Sequence, residues 1–433
     1  MNWKRKGTIG LKNNLPQISM ETQVDSSKIK EFVSRFTETN LPLNETILAK
    51  SRSILNSSDF PTTRDEKWKY TRLSKLSKLS LVQTFEVGEL SNIPLKNQPV
   101  ISIINGNIDA IPEVKGLKIS RFSENSEEVD QVGQFISLEE DVFHAMNTSF
   151  IKDGLLIEVS ENQHIAEITQ IVFENQFQHV FAPTRIVIIA KKSSSAQFLF
   201  NFSSSSESFS LPIVEYHVGQ NARLTVDKIQ LESDESFTVS TDQVYQERDS
   251  YFKINTISLS GKFIRNNLNI LVNGENCETH LNGAYLLEDD QLIDNHTVVD
   301  HLKPNCNSNE LYKGVLNGKS IGVFNGKVFV RPDAQKINAF QSNANVLISD
   351  DASMNSKPEL EIYADDVKCS HGSTTGQMDE DAIFYLRARG ISEKSAKALM
   401  TQAFIGDVLN KIDNEEVLGY VHSKLIELHD WVI

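Results

Sequence analysis

The chain has 433 residues, with 43 Lys and Arg against 58 Asp and Glu, a net charge of −15. That length allows two or three domains and a substantial core, and the acidic balance argues against nucleic acid, because phosphate binding needs a clustered cationic surface. Three cysteines, Cys277, Cys306 and Cys369, with no C-x-x-C pair, exclude a disulfide framework and a self-contained zinc or iron–sulfur loop, and fit reduced thiols in a cytoplasmic protein.

In chain order, residues 1–22 read as a basic flexible tail, with Met20 as an alternative start. The tail lacks the apolar core of a signal peptide, and no stretch approaches the ~20 apolar residues of a membrane span. A soluble, non-exported protein with no membrane partner is expected. Residues 23–80 read as a helical domain. Ile29, Phe32, Val33 and Phe36 share one helix face, and a second helix starts at Asn44 as N-cap with Ile47, Leu48, Ile54 and Leu55 turned inward. Trp68 and Tyr70, after the boundary at Pro61, are expected as packed aromatic anchors.

Residues 81–153 form a mixed α/β connecting region. From 154 to 372, short runs such as "GLLIEVS", "TRIVIIA", "NLNILVNG" and "KVFVRP" alternate with Asn, Gly, Ser and Asp, the pattern of strands bounded by turns. Ile337 and Ala339 are read as answered by Leu360 and Ile362, and Val346 by a similar strand at Val367. A repeat in the low twenties predicts a stacked solenoid in which each coil buries its apolar face against its neighbours. Residues 373–433 return to helical periodicity. Asp379 is placed to cap the first helix and Gly390 to end it. Ile383, Phe384 and Leu386 spread over more than one stripe, which predicts burial on two sides or a partner. A second helix from Ser392 should bury Ala396, Leu399, Met400, Ala403 and Phe404, and a third from near Asn414 should bury Val417, Leu418, Val421 and Leu425.

Cys369 and His371, in "VKCSHG", project from the same face of a strand. Imidazole ligates readily near neutral pH, whereas an ordinary thiol is mostly protonated there. Two ligands do not complete a tetrahedral site, so the pair is either packed and hydrogen-bonded or completed by donors from elsewhere. A second cluster holds Asp294, His296, Asp300, His301 and Cys306, and Cys277 and His280 stand at C-x-x-H spacing. Packing or turn hydrogen bonding accounts for both more simply than ligation. "GVLNGKS" has three residues between its glycines where a P-loop has four, and sits between strands, which excludes a phosphate cradle. The pairs Asp289/Asp290, Asp350/Asp351 and Asp365/Asp366 would serve a β-helix carbohydrate-active enzyme, the alternative reading, only if turns made them converge.

"RDEKWKYTRL", "KVFVRPDAQKINAFQSNANVLIS" and "PELEIYADDVKCSHGSTTGQMDEDAIFYLRARGIS" resemble the SufD family, scaffold subunits of the Suf iron–sulfur cluster assembly machine. The resemblance spans nearly the whole chain after Met20. It implies a mainly β fold: a right-handed parallel β-helix core between helical N- and C-terminal domains. It also implies a non-enzymatic subunit that pairs with a SufB-like paralogue and docks a SufC-like ATPase. His371, and Cys369 beside it, would contribute to iron or a nascent Fe–S cluster, transient and shared with the SufB-like partner. The isolated chain would bind no cluster stably. The "DEDAIFYLRARG" segment, with Phe384, Arg387 and Arg389, would bind the ATPase. SufB-like chains carry a cysteine where Ser342 and Asn343 stand here, and a glutamate in place of Gly372, so this chain lacks the main thiolate scaffold. The surface meant for SufB also offers a route to a homodimer when the chain is alone.

Overall fold

From Asn162 to Lys336 the chain turns at regular intervals through a left-handed backbone position. Asn162, Ser193, Asn221, Asp249, Asn276, Asn305 and Lys336 recur 27 to 31 residues apart, with φ between 56° and 62°. Asn and Asp tolerate this region better than most residues with a Cβ, and the recurrence makes one corner of a coil. In this computed structural model, which describes residues 28–124, 133 and 136–429, the coils stack into a parallel β-solenoid of about eight turns. The tail expected over residues 1–22 lies outside the described residues.

Each coil contributes one strand to each of two sheets, one ten-stranded and one nine-stranded. Pairing is parallel except at the starting end, where Val100–Ile104 meets Asn107–Ile108 and Leu117–Arg121 meets Gly154–Val159, both antiparallel. The coil repeat corrects the expected spacing in the low twenties. Ile337 and Ala339 lie beside Val367 and Cys369, and Val346 beside Gly376. Leu360 and Ile362 lie in the other sheet, beside Val328 and Val330. The shorter spacing mixed the step between sheets with the step between coils.

Side chains alternate inward and outward along each strand. The inward set, including Phe198, Phe200, Tyr216, Phe252, Leu281 and Val328, fills the lumen, and burying each such side chain stabilises by roughly 1.5–3 kcal/mol. Much of the outward set is covered by helices. Helices α1 (Lys28–Val33), α2 (Glu45–Ser57) and α3 (Val142–Phe150) flank one sheet, where Phe32, Phe36, Trp68 and Phe143 pack on Phe181, Phe209 and Phe263. Asn44 caps α2 through Oδ1, which accepts from the Thr46 N–H at 2.9 Å. Trp68 is the expected anchor, but Tyr70 is 38% exposed: its neighbour fills the space under the segment and leaves the phenol outside.

Helices α4 (Glu380–Ala388), α5 (Glu393–Leu409) and α6 (Glu415–His429) follow the last strand. Ile405, Val408, Val417, Val421 and Leu425 pack on Leu199, Ile229, Ile257 and Leu286 of the second sheet. Asp379 caps α4, accepting from the Asp381 and Ala382 N–H groups at 3.0 and 3.1 Å, and Gly390 ends it at φ +88°. The buried face of α5 is Ala396, Thr401, Ile405, Val408 and Leu409, with Ala403 exposed. Apolar residues lie all round this helix, so the sheet rather than the periodicity selected its face. No helix among the described residues is long and apolar enough to cross a membrane.

Candidate functional site

The last coil, Ser353–Ile362 and Val367–Gln377, differs from those before it. Neither strand contains a buried residue, whereas Val180–Ala190 is buried along its whole length. Each pairs with a single neighbour, so backbone donors and acceptors along the outer edges are left without strand partners among the described residues. The solenoid is open at this end.

Cys369 and His371 stand on the last strand and share its inward face, as the alternation requires. Val367 and Cys369 pack against the end of the lumen core, and burial pushes the Cys369 thiol up, which keeps it protonated at neutral pH. His371 is exposed, with Gln341 beside it in register. No group of three or more His, Cys, Asp or Glu among the described residues could hold a metal ion. The pair therefore supplies part of a ligand set at most, and the open edge is where further donors would have to arrive.

Beneath His371 the lumen is polar. Gln341 donates from Nε2 to Glu310 Oε2 at 2.7 Å, and Thr297 Oγ1 donates to Glu310 Oε1 at 2.5 Å. Burial pushes Glu310 up to about 7. One position along the same strands, Asn343 Oδ1 accepts from Ser356 Oγ at 2.8 Å, and Ser373 Oγ reaches Ser356 Oγ at 2.7 Å. Of these inward polar residues, the sequence marks Asn343 alone, at the place where SufB-like chains carry a cysteine. In "AFQSNAN", Gln341, Asn343 and Asn345 alternate on one face, as in any strand, and the structure buries all three.

The other clusters resolve into structure. Cys277 and Cys306 are fully buried at a corner of the lumen, their thiols donating to the Glu247 and Gly274 carbonyls at 3.0 and 3.2 Å. His280 instead meets Glu278 at 2.7 Å on the exposed side, so the C-x-x-H spacing splits between two faces. Asp294 and His296 do share a face and pair at 2.9 Å. Asp294 also takes Arg265 and Thr71 at 2.5 Å each, and the Arg265 guanidinium lies 3.8 Å over the Trp68 ring. Burial raises the Asp294 carboxyl, but Arg265 and His296 outweigh it and leave it at about 2. This cluster clamps the N-terminal segment onto the sheet. Asp300 pairs with Arg331 at 2.7 Å, and His301 meets Ser308 at 2.9 Å. The three carboxylate pairs sit in exposed turns and bends, and "GVLNGKS" is strand, turn, strand, with Gly318 at φ +65°.

Of the residues expected to bind a partner, Phe384 on α4 is 73% exposed, a large apolar side chain without cover. Arg387 pairs with Glu393 at 3.2 Å, and Arg389 lies 4.3 Å over the Tyr385 ring and donates to its hydroxyl. Both arginines are engaged locally, and α4 buries Ile383 alone.

Comparison with known proteins agrees with this architecture. A family model described as SUF system FeS cluster assembly, SufBD core domain, matches residues 172–404. An iron–sulfur cluster assembly SufBD family protein of Synechocystis is 26% identical over 437 residues, covering 94% of this chain and 96% of that one. The iron–sulfur cluster assembly protein SufD of Escherichia coli is 33% identical over 209 residues, about half of each chain. The chloroplastic protein ABCI7 of Arabidopsis thaliana is 26% identical over 418 residues, 90% of this chain and 87% of its own. With more than half of its length matched by that core, the chain belongs to the SufBD family of iron–sulfur cluster assembly proteins.

Proposed function

We propose that this chain is a non-enzymatic scaffold subunit that pairs with a SufB-like paralogue through the open end of its solenoid and docks a SufC-like ATPase through its C-terminal helices. Iron or the nascent cluster is cargo, shared across the pairing surface. His371 is a ligand from this side, Cys369 a neighbouring thiol that ionises only when a metal or the partner's charge favours the thiolate. The observation that carries this reading is the coincidence of the two features: the incomplete Cys–His pair lies on the last coil, on one of its two long strands whose outer edges are free among the described residues. A second β-chain added along that edge would bring its own side chains to His371. Phe384 supplies the apolar anchor expected of a docking helix.

Purification of the tagged chain from its host without oxygen tests the reading. Stoichiometric recovery of an ATPase and a cysteine-bearing β-solenoid paralogue is expected. His371→Ala should retain both partners and lower the cluster yield of the complex by at least the roughly tenfold that loss of a ligand's outer-shell partner costs. A chain that elutes alone at every salt concentration would overturn it, and unchanged cluster yield in His371→Ala would remove the ligand role.

A further inference from the structure

Glu310, Gln341 and His371 are successive rungs of one column on the inward face of the ten-stranded sheet, spaced by the strand separation of about 4.8 Å. Gln341 is 3% exposed, and its amide is half used. Nε2 donates to Glu310 at 2.7 Å, while Oε1 is buried with no hydrogen-bond partner among the described residues. A buried acceptor left without a donor is destabilising, so an orphan amide oxygen is kept only for a reason. The two ends of the amide face different neighbours. Glu310 holds the nitrogen from the rung below, and the rung above is His371, whose ring can donate an N–H from either nitrogen.

The room for this amide is built in. A Cβ on Gly326, in the facing sheet, would lie 2.2 Å from Gln341 Nε2, so any larger residue there would displace the group. Glu310 is fixed in turn by Thr297 Oγ1 at 2.5 Å. A buried line from Thr297 through Glu310 to Gln341 thus ends in a free acceptor under His371.

We propose that Gln341, held by Glu310, is a positioning residue for His371: its free Oε1 accepts the ring N–H that does not face the cargo and so selects one tautomer and one ring orientation. This deepens the reading of His371 as a ligand and depends on it for its purpose, although not for its test. A ligating histidine ordinarily gives its second N–H to such an acceptor, and loss of the acceptor costs roughly 10–100-fold in metal affinity.

The test is nuclear magnetic resonance of the full chain labelled with 15N-histidine, at a pH where the imidazole is neutral, with the His371 signals assigned by their loss in His371→Gln. The wild-type ring should show a single tautomer. Gln341→Leu, which removes the acceptor, should give the two-tautomer mixture of a free side chain, with circular dichroism showing the chain folded. Gly326→Ala displaces the amide without deleting it and should release the ring in the same way. It carries the comparison if Gln341→Leu does not fold. A two-tautomer mixture in the wild type, or a single unchanged tautomer in both Gln341→Leu and Gly326→Ala, overturns the proposal. Failure to recover partners would instead strike the scaffold reading and leave the tautomer result standing.

Discussion

Arg265 and Asp294 lie almost fully enclosed between the sheet and the N-terminal segment. Removing one partner of such a pair leaves an uncompensated buried charge, a loss of about 3–5 kcal/mol. Asp294→Ala should therefore lower the urea midpoint by that equivalent, and Asp294→Asn, which keeps a hydrogen-bond acceptor, by less. Because the folded carboxyl is held at about 2 against an ordinary 3.8, its contribution is present above the unfolded value and is lost as pH falls through the folded one. Glu310 behaves in the opposite sense. Burial raises it from 4.5 to about 7, so between those values the unfolded chain gives up a proton that the folded chain keeps. Stability then declines as pH rises through this window. Comparing urea midpoints at about pH 5 and about pH 8, Glu310→Gln should reduce the wild-type decline, by up to about 3 kcal/mol.

Among the elements, α4 separates packing from docking. Phe384 touches little of its own chain, and surface changes of that kind stay within about 0.5 kcal/mol. Phe384→Ala should leave the melting temperature of the isolated chain unchanged while lowering recovery of the ATPase; equal recovery would remove Phe384 from the interface. The helices were legible from their caps and stripes: Asn44 and Asp379 cap as their side chains predict, and Val417, Val421 and Leu425 are buried where the spacing puts them. The face of α5 was not, because an all-round apolar helix contains no periodic signal to read. The solenoid was legible as short strands and turns, but its pitch was misread. Apolar side chains repeat in both sheets, so their spacing mixes two steps, whereas the left-handed corner, held by Asn or Asp in most coils, occurs once per coil. The Cys–His pair was visible as a motif. The polar column under it was not, since "AFQSNAN" reads as an ordinary strand until register places Gln341 over Glu310.

At the scale of the whole molecule, each coil is stabilised mainly by its neighbours, and the last coil has a neighbour on one side only. Hydrogen exchange in the isolated chain should be fastest, among the strands, in Ser353–Gln377 and slowest near Val180–Ala190, and protection of Ser353–Gln377 should rise when the paralogue binds. Uniform protection along the solenoid would contradict the view of an unfinished end. The two ends of the stack are not equivalent. At the start, the bordering strands Asn107–Ile108 and Leu117–Arg121 are short and antiparallel. At the finish, strands of 10 and 11 residues stand uncovered. A stack able to accept a neighbour at one end only behaves as a chain terminator. Two such stacks meeting open end to open end use up each other's edges and leave none for a third. Growth by this route halts at two at any concentration, so the polarity of the solenoid is itself a guard against the fibres that long exposed strands otherwise seed.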